Sequence, residues 1–140
     1  MCGVELDVVA LAAITDRRLL LVSKREAPDV FYLPGGKREP GEDDLAALAR
    51  ELEEELGVAL VDARLLGRFE APAANEVGAT VRSSAYIVEV VGKIEIRAEI
   101  EALHWIDPSA PPDLPIAPLL AGQILPALNA PSEASASESH

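Results

Sequence analysis

The chain is poor in several things that would decide its class. Its 140 residues include one cysteine, one methionine, one tryptophan, two tyrosines and two phenylalanines. A lone cysteine, Cys2, forbids an internal disulfide and fits a reducing, cytoplasmic setting. No base stands beside Cys2 in sequence, so it reads as a terminal residue without chemistry. Cations are scarce as well: 12 Lys and Arg face 24 Asp and Glu, for a net charge of −12. Binding along a nucleic-acid polymer calls for a basic stripe, and that partner class is excluded. A small phosphorylated ligand stays admissible, provided a cation stands between it and the protein. Long apolar runs are missing too. VVALAAIT (8–15) is too short to cross a bilayer and follows Glu5 and Asp7 rather than basic residues. It reads as a buried strand, neither membrane helix nor signal peptide.

What is present suffices for a core. Apolar residues make up 49% of the chain, which argues for one folded domain over 1–130. PSEASASESH (131–140) is of low complexity and is expected to be a disordered tail. VELDVVALAAI (4–14) and RLLLVSKR (18–25) carry strand signals around a turn at Asp16-Arg17, which predicts a hairpin. Residues 26–30, with Pro28, read as loop. PGGKREPGE (34–42) packs two prolines and three glycines into nine residues and reads as a shaped loop without regular structure. Strands are expected over 58–72, 80–92 and 101–108, with a loop at 73–79. Residues 113–129 look helical, with limits blurred by Pro115, Pro118 and Pro126. No internal repeat occurs. The mixture is α/β or α+β.

One helix is well marked. Asp43 is an expected N-cap, the stretch to Leu56 is rich in Ala, Leu and Glu, and Gly57 supplies a left-handed stop. At 100° per residue, Leu45, Leu48, Leu52 and Leu56 form a stripe, with Ala49 between them. Glu51, Glu54 and Glu55 point together to one side of that stripe; Glu53 points to the opposite flank. Arg50 is i, i+4 from Glu54 and can lean against it. Three converging carboxylates repel one another unless a cation sits among them, and hard oxygen ligands suit Mg²⁺ or Mn²⁺. A solvated acidic face is the alternative, and by charge pattern alone it is the commoner one. The loop before the helix favours the cation. Gly35-Gly36 allows close backbone approach, and Lys37 and Arg38 offer cations to phosphate oxygens.

The residues also spell a known pattern. Gly36, five residues, Glu42, seven residues, Arg50-Glu51-Leu52, one residue, Glu54-Glu55, one residue, Gly57-Val58: this resembles the complete box of the Nudix hydrolases, with every fixed position met. AEIEALHWID (98–107) is similar to a further segment of that family. The resemblance implies a mixed β-sheet sandwiched between α-helices. It also implies Mg²⁺- or Mn²⁺-dependent hydrolysis of a nucleoside diphosphate linked to another moiety. Carried over by position, Glu51, Glu54 and Glu55 would hold metal, with the Gly35 carbonyl completing the shell and Glu54 counted among the catalytic residues. Arg50 would orient a metal-binding glutamate, and Glu42 would assist the metal site or brace the loop. The general base would be a box glutamate or a later one, Glu99 first and Glu101 second.

Other residues are weaker signals. Tyr32 or Phe31 could stack on a base, although burial is the usual fate of such aromatics. Arg82, with Asn75 and Glu76, flanks a loop that could line the substrate pocket. His104 reads as a surface or packing residue, and Trp105 as core. The partner expected is a small nucleotide, without a membrane; a homodimer is compatible with this. A compact nucleoside triphosphate pyrophosphatase fits the short chain. The rival readings are a Nudix-fold module that senses a nucleotide without cleaving it, and an acidic helix that docks a protein.

Overall fold

Two strands meet at the turn marked by Asp16-Arg17. In the computed structural model, which describes residues 4–72, 78–110, 113–117 and 119–129, β1 (Val4–Thr15) and β2 (Arg18–Lys24) form the expected hairpin. Asp16 and Arg17 both take positive φ, 52° and 66°, as a two-residue turn between right-twisting strands requires. Pairing of β1 with β2 ends after Ile14–Leu19 and Thr15–Arg18, and the strands then part. β1 runs on parallel to β6 (Ala79–Val91), which pairs antiparallel with β5 (Ala59–Pro72). β2 lies between β3 (Ala27–Tyr32) and β7 (Ile100–Ile106), antiparallel to both. Cys2, Asn75, Glu76, Pro118 and the tail from 131 lie outside the described residues.

The central strands bury both faces. Val9, Leu11 and Ala13 of β1, with Leu20 and Val22 of β2, turn toward α1 (Asp44–Leu56) and meet Leu48, Leu52 and Leu56. Ala10 and Ala12, with Leu19 and Leu21, turn the other way and meet Leu120, Ile124 and Leu125. That explains why VVALAAIT is apolar without alternation: a strand covered on both sides has no polar face. The result is a mixed sheet between helices, an α+β fold.

The structure differs from the sequence expectations at four places. Residues 27–30 are strand rather than loop; β3 ends the sheet order, where Pro28 costs no ladder bond. Gly35–Lys37 is a short strand, β4, antiparallel to β1, rather than irregular loop. Glycine is required there by close approach, since a Cβ on Gly35 would lie 2.0 Å from the Val9 carbonyl oxygen. Asp113–Ala117 is not helical: Ile116 bridges to Phe31 as a short parallel pair. Helical structure occupies Leu120–Ile124, a wide turn, and α2 (Leu125–Leu128). Pro126 accounts for the wide turn, because its ring presses on the carbonyl four residues back in a regular helix. Finally, Leu45 is 53% exposed and Ala49 is exposed, so the buried arc of α1 keeps only Leu48, Leu52 and Leu56 of the leucine stripe. It runs through Ala47, Leu48, Glu51, Leu52, Glu55 and Leu56.

Candidate active site

α1 is held in place at both ends by local chemistry. The Asp43 carboxylate accepts from the Ala46 N–H at 2.9 Å, and Gly57 takes φ 69° and donates to the Glu53 carbonyl at 3.2 Å. Beyond Gly57, the Arg97 and Glu95 N–H groups reach back to the carbonyls of Glu55 and Leu56, at 3.0 and 2.9 Å. The Arg97 guanidinium lies over Gly57, where a Cβ would be 2.7 Å from it. A cation there also complements the negative end of the helix.

Between those ends, α1 presses two carboxylates against β4. Glu51 and Glu55 are each only 7% exposed. Gly36 makes room for the first: a Cβ on Gly36 would stand 2.5 Å from Glu51 Oε2. The Gly35 N–H donates to Glu55 Oε1 at 3.3 Å. Burial pushes the Glu55 carboxyl up to about 8; the Lys24 charge opposes this, while the negative charge of Glu51 and a hydrogen bond with it add to the rise. Glu55 therefore holds a proton near neutrality, beside the buried Glu51 side chain.

Arg50 gathers the rest. Its Nε and Nη2 donate to Glu42 at 2.6 and 2.9 Å, and Nη2 also donates to the Lys37 carbonyl at 2.9 Å. Nη1 reaches Glu51 Oε2 at 3.1 Å and Glu54 Oε1 at 3.2 Å. The Arg50 hydrogen bonds, with the Glu39 N–H, hold the Glu42 carboxyl down at about 2. Glu54 is the exposed member of the set, 51% by its side chain. Among the described residues, no three ligand side chains stand close enough to cage a cation as they are. The donor set still fits one. Two buried carboxyl groups side by side are hard oxygen donors whose crowding a divalent ion relieves, and Glu54 shares the Arg50 Nη1 donor with Glu51.

The remaining expected residues divide. Glu99 raises the Tyr32 pKa together with Glu26 and Glu55, after burial as the main cause, so Glu99 and Glu55 act on the same side chain. Glu101 is exposed at the start of β7. Tyr32 is half-buried against the α1-side core, with the Lys24 ammonium 5.8 Å from its ring centroid. Phe31 faces the other side of the sheet and meets His104, ring centroids 5.8 Å apart. Trp105 packs at the margin of the α1-side core, as expected. Lys37 pairs with Val8 and Gly36 with Val9, so the pleat turns Lys37 away from Glu51. Arg38 returns to the α1 side and binds Asp44 at 2.6 Å. Arg38 and Arg82 line one open pocket of about 400 Å³, with Arg68, Asp7, Asp44 and Glu70. Sequence reasoning missed Lys24, Arg68 and Tyr86, because only strand pairing brings them to the helix, and Asp44, because its partners Arg68 and Tyr86 come from those strands.

The geometry agrees with comparison to known proteins. Residues 5–128 match the family model described as the NUDIX domain. This chain belongs to the Nudix family. It is 36% identical over 104 residues to the Mycobacterium tuberculosis protein named "Putative 8-oxo-dGTP diphosphatase 2", covering 71% of this chain and 72% of that one. The solution structure of the Escherichia coli ORF135 protein superposes with a TM-score of 0.76 at 27% identity, over 95% of this chain and 94% of that one. The crystal structure of a MutT Nudix hydrolase from Burkholderia pseudomallei gives 0.75 at 28% identity, over 91% and 98%. The chain is a MutT-like Nudix pyrophosphohydrolase. No helix among the described residues is long and apolar enough to cross a membrane.

Proposed function

We propose that this Nudix enzyme hydrolyses a phosphoanhydride in a nucleoside diphosphate linked to another moiety, with Mg²⁺ or Mn²⁺ as cofactor and a nucleoside triphosphate as the leading substrate class. The observation that carries the reading is the buried Glu51–Glu55 pair, seated on side-chain-free Gly36 and edged by Arg50. A divalent ion supplies the positive charge that an anionic diphosphate and a protein of net charge −12 both lack, and it acidifies bound water.

The residues around it have separable tasks. Glu51, Glu54 and Glu55 would hold the ion, which would supply the charge that the substrate's phosphates lack. Arg50 fixes Glu51, while Glu42 fixes Arg50. Glu99 is the favoured general base over Glu101, because it shares Tyr32 with Glu55. Arg38 and Arg82 contact substrate. The similarity to a protein named for 8-oxo-dGTP places oxidised deoxynucleoside triphosphates first in the panel to be assayed. A single domain over 1–130 working in the cytoplasm is consistent with this role.

Assaying nucleoside triphosphates, 8-oxo-dGTP, ADP-ribose and dinucleoside polyphosphates with and without Mg²⁺ tests the reading. Metal-dependent release of a nucleotide product, lost in Glu51→Gln, is expected. Binding without turnover on every substrate would favour a sensing module instead.

A further inference from the structure

The pocket beyond the first turn of α1 has a lining that identifies its ligand. Three of the chain's guanidinium groups, Arg38, Arg68 and Arg82, meet three carboxylates there, Asp7, Asp44 and Glu70. The pairs are Arg38–Asp44 at 2.6 Å, Arg38–Asp7 at 4.0 Å, Arg68–Asp44 at 3.7 Å and Arg82–Glu70 at 3.4 Å. The pocket is thus close to neutral in a chain of net charge −12. Its floor is fixed and its rim is not. Asp44 is held by the Tyr86 hydroxyl, which donates to Oδ2 at 2.5 Å, and by Arg38 on Oδ1. Arg68, Arg82, Asp7 and Glu70 are largely exposed, and ion pairs of that kind are worth little and exchange partners readily.

A phosphate group offers acceptors only. It would satisfy the arginines and be repelled by three carboxylates. A nucleobase edge offers donors and acceptors side by side, and matches a lining that presents both. The volume, about 400 Å³, suits such a ring. The reach suits it too. Asp7 is two residues along β1 from Val9, which pairs with Gly36 beneath Glu51. That is about 7 Å of strand, short enough for one substrate to span both places.

We infer that this pocket holds the nucleobase of the substrate, with Asp44 as the fixed acceptor and Arg68 as a closing donor, so that these two residues set base preference. This rests on the proposal that the chain handles a nucleotide, and goes beyond it in assigning the base to Asp44, Tyr86 and Arg68. None of the three is a fixed position of the box.

The test uses the full chain in EDTA, by calorimetry, with AMP, CMP, GMP, UMP and inorganic pyrophosphate as probes. One or more of the nucleotides is expected to bind at least tenfold tighter than pyrophosphate. Asp44→Asn, which replaces an acceptor by a partial donor, and Arg68→Ala are each expected to weaken that binding about tenfold. Arg68 is a surface side chain, so its variant keeps the fold even where Asp44→Asn does not. Equal binding of pyrophosphate, undetectable nucleotide binding at millimolar concentration, or nucleotide binding unchanged in Arg68→Ala would each overturn the assignment. Hydrolysis is absent from this readout. Base-selective binding without turnover would defeat the hydrolase reading alone, and turnover without base-selective binding would defeat the pocket alone.

Discussion

Arg50 grips Glu42 through two parallel hydrogen bonds, Nε to Oε2 at 2.6 Å and Nη2 to Oε1 at 2.9 Å. A planar fork meeting a carboxylate in this way fixes both partners in orientation as well as distance. One end of the contact is in the loop after β4 and the other is in the middle of α1, so it locks the loop onto the helix. The same guanidinium still reaches Glu51, Glu54 and the Lys37 carbonyl. Glu42 thus acts on the proposed metal site at one remove, through Arg50.

Arg50→Lys keeps the charge and removes the fork. It is expected to lower kcat about 10- to 100-fold, as loss of a group orienting metal ligands does. Apparent Mg²⁺ affinity should fall with it. Steady-state kinetics across a metal titration measures both, and wild-type behaviour would show that charge alone matters at this position.

The Glu42–Arg50 contact also has a pH signature. The Glu42 carboxyl sits at about 2 in the folded protein, below its usual 4.5. Its stabilising effect is therefore complete above pH 4.5 and is lost as pH falls through 2. Glu42→Gln should flatten the acid limb of the urea midpoint between pH 5 and pH 2. A limb of unchanged slope would assign acid sensitivity elsewhere.

Glu55 works in the opposite sense. Its folded pKa is raised from 4.5 to about 8, so the metal-free protein holds a proton there that the unfolded chain releases. The contribution of Glu55 to stability in EDTA is complete below pH 4.5 and declines as pH rises toward 8. Mg²⁺ must displace that proton, so its binding should tighten over the same interval and release acid into a weakly buffered solution. Melting temperatures with EDTA and with Mg²⁺, at pH 5 to 8.5, report both trends. Glu55→Gln should remove the decline in EDTA.

Much of this site was legible in the sequence because it is local. Box spacing and helical phase bring Glu51, Glu54, Glu55 and Arg50 to one region, and Asp43 and Gly57 bound the helix as read. What escaped depends on pairing between distant segments. The leucine stripe grouped Leu45 and Ala49 with Leu48, Leu52 and Leu56, yet those two are exposed while Glu51 and Glu55 are buried. β4, hidden in a glycine-proline stretch, instead slides beneath Glu51 and turns the buried arc toward it. Lys37 and Arg38 are adjacent in sequence, yet a strand pleat sends them to opposite faces. Tyr86 meets Asp44 only because β6 runs parallel to β1 under the helix.

Gly36→Ala tests the seat of Glu51. Its Cβ would collide with both carboxylate oxygens of Glu51, at 2.5 and 3.1 Å, so the side chain must leave its position beside Glu55. A methyl group alone should then lower kcat by 100-fold or more, a cost in the range seen when catalytic groups are misplaced by about 1 Å. Kinetics together with a melting curve separates this from unfolding: a folded variant with normal kcat would show that Glu51 can move freely.

Glu53 supplies the internal control. It sits among the proposed ligands in sequence, but its carboxylate pairs with Arg97 at 3.1 Å on the far flank of α1, where both side chains are well exposed. An exposed pair of this kind contributes little to stability. Glu53→Gln should therefore leave kcat and Mg²⁺ dependence within about twofold of wild type, and the melting temperature within a degree or two. Glu51→Gln, two residues earlier, should abolish measurable turnover. The pair of variants differs only in helical phase, so their comparison isolates the direction of the side chain from the acidity of the segment. A large loss in Glu53→Gln would mean that the chemistry lies on the Arg97 side of the helix and not against Gly36.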